Sequence, residues 1–226
     1  KTYELDSYVD FGTRGAIVWG DGATIVVSGD GQIATSAYLQ FRNANFDCAM
    51  AGVAPFAMSK EPDASLKIND EASAIKFEGA NQKVFWNEHA ITIENCNFAN
   101  LKKSLFYGNK QPWALHTFKI NDCVIQLEGN KLGDGLINLY GASTGAIKNI
   151  VLTNNTIYNI TPNSDNRFVR YGNSSNAQPQ KIWGSDAKVG KSVFTMTNNT
   201  IAYPCKEFAN NFPNKGKLVF LDWTKN

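Results

Sequence analysis

Groups able to do chemistry are sparse and scattered through this chain of 226 residues. Proton abstraction assisted by calcium needs clustered carboxylates around a hard cation, plus a base that is often Arg or Lys. The outward strand positions that would display such groups hold Gln40 and Arg42, Thr92 and Glu94, Lys119 and Asn121, Val151 and Thr153, and Thr195 and Thr197. Glu94 is the one acid among them, which makes no calcium cage. Asp134, between Gly133 and Gly135, reads as a turn before it reads as an acid catalyst. His89 lies directly before a strand and reads as structural or solvated, while His116, at the end of a loop, is a candidate for binding. Lys102, Lys103, Arg167 and Arg170 leave a metal-free base open, although such charges read first as solvated surface.

Two loops hold a better clue. The stretches Asn109 to Thr117, Ala142 to Asn149 and Asn173 to Ser192 follow similar apolar segments, and two of them contain tryptophan: Trp113 and Trp183. Lys110, Gln111, His116, Gln178, Gln180 and Lys181 surround these rings in sequence. An exposed indole flanked by amides and cations suits a sugar ring, whose CH face stacks while its hydroxyls bond to polar neighbours. The competing reading folds both rings back onto the core, where aromatics contribute most. Trp19, Trp86 and Trp223 fall in or beside predicted strands and are read as packing.

The elements that must position these loops are repetitive. Ile91-Thr-Ile-Glu-Asn-Cys-Asn-Phe98, Phe118-Lys-Ile-Asn-Asp-Cys-Val-Ile125, Ile150-Val-Leu-Thr-Asn-Asn-Thr-Ile157 and Phe194-Thr-Met-Thr-Asn-Asn-Thr-Ile201 share one frame, and Leu39 to Phe46 fits it. Each has apolar residues at period 2, a small or amide-bearing pair, then another apolar residue. That is a strand, a sharp bend and the start of a second strand. A second row, Leu105 to Gly108, Leu136 to Gly141 and Phe168 to Gly172, ends each time in Tyr-Gly; Lys83 to Trp86 and Leu218 to Leu221 are its expected outer members. The 52 residues from Asn43 to Asn95 leave room for one degenerate turn of the repeat, built on Leu66 to Ile68 and Ala74 to Phe77. Sandwiches and barrels also use short strands, but they do not require like residues at equivalent positions. The repeat therefore predicts a parallel β-solenoid, each strand pairing with its copy about 4.8 Å away.

Composition agrees. The 26 Asn and 18 Gly suit tight bends that need positive φ or side-chain bonding to the backbone. A net charge of +2 gives no footprint for nucleic acid, and no apolar run is long enough to span a membrane. Ala44, Cys96, Cys123, Asn155 and Asn199 occupy one bend position and are expected to form a structural column in the interior. Cys96 and Cys123 are near enough for a disulfide, but free buried thiols are the favoured reading. Neither Cys-x-x-Cys nor a Cys/His cluster occurs, so no metal or other cofactor is expected.

The strand–bend repeat, as in Ile150 to Ile157, resembles the right-handed parallel β-helix proteins of the pectate-lyase-like superfamily. Its Asn-Cys bends look most like those of uncharacterised secreted or surface proteins of gut commensal bacteria. The resemblance covers roughly residues 16 to 222 and implies a secreted or cell-surface protein associated with polysaccharide, either pectin-like or host glycan. The Asn-Thr-Asp, Asp-Asp and Gly-His-Gly signatures of the superfamily's inverting hydrolases are missing. The expectation is one β-helix domain over 1–226, with loop insertions, residues 1–15 a cap or linker, and the chain cut from a longer protein. Its expected role is non-catalytic binding of polysaccharide through Trp113, Trp183, His116, Lys110 and Lys181. The alternatives are a metal-independent polysaccharide lyase or hydrolase with degenerate motifs, or a structural or adhesion scaffold.

Overall fold

The period-2 segments fold as strands in the computed structural model, which describes residues 1–12, 14–35, 38–59, 66–69, 74–77, 90–108, 114–128, 135–139, 146–159, 167–171, 192–202, 207–210 and 219–224. Among these residues there is no helix; the protein is all-β, and its sheets are almost wholly parallel. The N-terminal strands are β1 (Thr2–Leu5), β2 (Tyr8–Asp10), β3 (Ala16–Gly29), β4 (Gln32–Thr35), β5 (Leu39–Ala51) and β6 (Phe56–Met58). Next come β7 (Leu66–Asn69), β8 (Ala74–Phe77), β9 (Ala90–Glu94), β10 (Asn97–Leu101), β11 (Phe106–Tyr107), β12 (Ala114–Asn121), β13 (Val124–Leu127) and β14 (Ile137–Leu139). The last are β15 (Ala146–Thr153), β16 (Thr156–Asn159), β17 (Arg167–Tyr171), β18 (Ser192–Thr197), β19 (Thr200–Ala202), β20 (Glu207–Asn210) and β21 (Val219–Thr224).

Three parallel ladders result. The first joins Ala16–Trp19 of β3, Leu39–Arg42 of β5, and then β9, β12, β15, β18 and β21. The second joins β1, the far half of β3, Asn45–Asp47 of β5, and then β10, β13, β16 and β19. The third runs β2-β4-β6-β11-β14-β17-β20. Equivalent repeat positions pair as the sequence implies: Leu39 with Ile91, Ile91 with Phe118, Phe118 with Ile150, and Ile150 with Phe194. Beyond the bend, Phe46 pairs with Phe98, Phe98 with Ile125, Ile125 with Ile157, and Ile157 with Ile201.

The bends explain the asparagine content. Asn43, Asn95, Asp122, Asn154 and Asn198 all have φ between 50° and 57°, a left-handed conformation that Asn and Asp tolerate better than other non-glycine residues. Backbone bonding continues through the corner: the Asn95 N–H donates to Asn121 O at 3.0 Å, and the Val124 N–H to Cys96 O at 3.0 Å. Alternate side chains face a continuous core. Phe98 stacks on Phe46 with ring centres 4.7 Å apart, and Phe106 meets Phe118 at the same separation.

Three expectations are corrected. Leu66–Asn69 and Ala74–Phe77 make an antiparallel pair of their own, not a degenerate turn of the repeat, and β5 pairs directly with β9. A long excursion between paired strands is tolerated because closure entropy rises only slowly with length. Leu218 to Leu221 does not continue the second row: β21 extends the first ladder beside β18, and β20 closes the third ladder beside β17. The Tyr-Gly endings do not stack, since Tyr107 pairs with Asn138, and Tyr171 with Leu139. Register there follows the apolar beginnings, where Phe106 pairs with Ile137 and Ile137 with Val169. The first twelve residues carry β1 and β2, which pair in parallel with β3 and β4. Lys83 to Trp86 lies outside the described residues.

Candidate binding groove

The bend column is built as a file of donors. Ala44, Cys96, Cys123, Asn155 and Asn199 are all buried. Asn155 Nδ2 donates to Ile120 O at 3.0 Å and Asn199 Nδ2 to Leu152 O at 2.9 Å, each reaching the strand before the preceding bend. Cys123 Sγ lies 3.6 Å from Ile93 O and Cys96 Sγ 3.8 Å from Phe41 O, so the thiols occupy the same donor place more weakly. Cys48, Cys96 and Cys123 are free and buried. The hydrogen bond with Cys96 and then burial push the Cys123 thiol up, and burial pushes Cys48 up to about 12. These groups stabilise corners; none is presented to a substrate.

On the outer face of the first ladder, Glu94 is held from two sides. Arg42 Nε lies 3.0 Å from Glu94 Oε2, and Asn121 Nδ2 donates to Glu94 Oε1 at 3.2 Å. Among the described residues no group of three or more His, Cys, Asp or Glu stands together to hold a metal ion.

A groove opens where the second ladder turns into the third. Its volume is about 490 Å³, and its lining is Asp30, Gln32, Gly52, Val53, Ala54, Lys103, Ser104, Tyr107 and Asn138. Successive turns between β3 and β4, β5 and β6, and β10 and β11 supply most of the wall, so stacking of the repeat also stacks the wall. Two glycines make those turns tight. A Cβ on Gly52 would come within 2.6 Å of Gly29 O, and one on Gly31 within 1.9 Å of Leu5 O. Gln32 is fixed by donation from Nε2 to Ala54 O at 2.8 Å. Tyr107, Asn138 and Arg170 follow one another at paired positions of β11, β14 and β17, so the row continues past the groove to a basic residue. The groove therefore offers a half-buried phenol ring, two amides, a hydroxyl, one ammonium and one carboxylate to a hydroxyl-rich ligand. It does not offer a facing pair of acids.

Of the residues expected to bind, Trp113, Trp183, Lys110 and Lys181 lie outside the described residues, as do His89 and Asp134. His116 falls inside strand β12, not at the end of a loop, because the strand begins at Ala114. Trp19, read as packing, is 60% exposed on β3 beside Ile17, which is 68% exposed. Gln32, Tyr107 and Asn138 carry no local signature in the sequence because the groove is made of turns from separate repeats; of its lining residues the sequence singles out Lys103 as a candidate base.

No match is found among curated proteins or among solved structures. Residues 1–160 match the family model described as "Domain of unknown function (DUF4957)", which spans well over half of the chain, and the protein belongs to that family.

Proposed function

We propose that this protein is a right-handed parallel β-helix of the pectate-lyase-like kind, secreted or displayed at the cell surface, that binds polysaccharide without cleaving it. The groove carries this reading: its amides, hydroxyl and phenol ring converge along stacked turns, and a glycan is the ligand whose many hydroxyls use all of them. The three parallel ladders support the β-helix assignment. The sequence adds Trp113 and Trp183 as candidates for stacking on the same ligand.

A second reading, a metal-independent lyase acting on a uronate polymer, is favoured by Lys103 in the groove and by Arg170 next along its row. Affinity electrophoresis against a panel of pectins and host glycans tests the binding reading. Retardation by at least one polymer is expected, with Tyr107→Ala weakening it about tenfold, equivalent to about 1.4 kcal/mol. Retardation by none, or retardation unchanged in Tyr107→Ala, Trp113→Ala and Trp183→Ala, overturns it. New absorbance from unsaturated uronates, or new reducing ends, assigns the enzyme instead.

A further inference from the structure

Two opposite charges line the groove without neutralising each other. Asp30, Val53 and Lys103 each lie three residues before a member of one paired row, Ile33, Phe56 and Phe106. They are therefore equivalent positions on successive turns: an acid, an apolar residue and a cation in file along the stacking direction. At about 4.8 Å per tier, roughly 10 Å separates the first position from the third. Asp30 and Lys103 are exposed, and among the described residues neither side chain has an ion-pair or hydrogen-bond partner. The neighbouring Lys102, by contrast, is engaged by Glu128 at 3.6 Å and by Ala49 O at 3.4 Å.

The wall between these charges also has bonding capacity to spare. Ser104 is 6% exposed, yet its hydroxyl has no hydrogen-bond partner among the described residues. Gln32 is buried and commits its Nε2 to Ala54 O, which leaves its Oε1 able to accept. Buried polar groups are ordinarily paired. A buried hydroxyl and a buried amide oxygen lining an open groove therefore mark a place for a polar ligand.

We propose that the groove takes a zwitterionic glycan, its chain lying along the stacking direction with a protonated amino sugar at Asp30 and a carboxylate-bearing sugar at Lys103. This ligand deepens the polysaccharide-binding reading above, on which it rests. A sugar in an extended chain is about as long as a tier is thick, so a neutral sugar lies between the charged ones, its CH face toward Val53. Ser104 and Gln32 meet its hydroxyls. Selectivity comes from repulsion as much as attraction. A uniformly acidic polymer sets a carboxylate against Asp30, and a polyamine sets an ammonium against Lys103.

Isothermal titration of the intact chain with three forms of one polymer tests this, at a mildly acidic pH that keeps amines protonated. Partly O-carboxymethylated chitosan carries both charges, its N-acetylated form carries carboxylates alone, and chitosan carries amines alone. The zwitterionic form should bind about fivefold or more tighter than either other form. Asp30→Lys should turn the preference toward the N-acetylated form, and Lys103→Glu toward chitosan. Thermal melts should not move, because neither side chain holds another. Equal binding of all three forms, preference for a single-charge form, or an order indifferent to both substitutions overturns the proposal and leaves polysaccharide binding standing. So does binding of a pectin or host glycan with none of the zwitterionic form. Binding of no glycan at all overturns both.

Discussion

Asn199 Oδ1 accepts two hydrogen bonds from Asn155, one from its backbone N–H at 3.0 Å and one from its side-chain Nδ2 at 2.9 Å, across 44 residues of sequence. Asn155 Oδ1 in turn accepts from the Cys123 N–H at 2.9 Å. A single amide thus satisfies the corner above it and the corner below.

Asn155→Ala strands the Cys123 N–H in a dry interior and removes the side-chain bond to the Ile120 carbonyl. Each unsatisfied buried group costs about 1–3 kcal/mol, so a loss of about 3 kcal/mol is expected in urea unfolding. A loss under about 1 kcal/mol would mean that the corner does not depend on the file.

The left-handed corners discriminate by backbone alone. Asn95, at φ 50°, is exposed. Asn95→Val should cost about 1–2 kcal/mol, whereas Asn95→Gly should stay within about 0.5 kcal/mol of the parent. Equal losses in thermal melts would refute the conformational explanation.

Phe98 is 1% exposed and lies against both Phe46 and Phe56. Phe98→Ala should cost about 3–5 kcal/mol. A double-mutant cycle with Phe46→Ala should return a coupling of about 0.5–1.5 kcal/mol for the stacked pair.

Cys48, Cys96 and Cys123 should not react with a thiol reagent in the native protein at neutral pH, and all three should react in denaturant. Replacing Cys205 by Ser removes the remaining thiol from the count. Because the Cys48 pKa is raised from 9.0 to about 12, the folded state keeps a proton that the unfolded state releases. Its contribution is complete below pH 9 and is lost as pH rises toward 12. Stability of Cys48→Ala should therefore fall less steeply over that window than stability of the parent.

How much of this was legible depended on whether a residue repeats. Ile91, Phe118, Ile150 and Phe194 announced their pairing because each sits at the same distance from an Asn or Asp that bends the chain. β1 and β2 carry no such bend signal and were missed. Leu66 to Phe77 has the alternation of a strand pair but no corner residue, and alternation alone does not say which strand will be the partner. Trp19 is read as packing from its apolar ring alone, and only its pairing with outward-facing Arg42 places it on the outer face. The groove is a property of turns from separate repeats and exists only once they are stacked.

Asn95 Nδ2 donates to Asn43 Oδ1 at 2.7 Å although 52 residues separate them, β7 and β8 among these. A corner that ignores what lies between its two halves leaves the intervening chain free to change. Doubling such an excursion adds only about 0.6 kcal/mol of closure cost. Lineages built on this plan can therefore acquire, lengthen or discard whole surface loops while the tiers beneath stay in step, and new specificities can arise by insertion without redesign of the core.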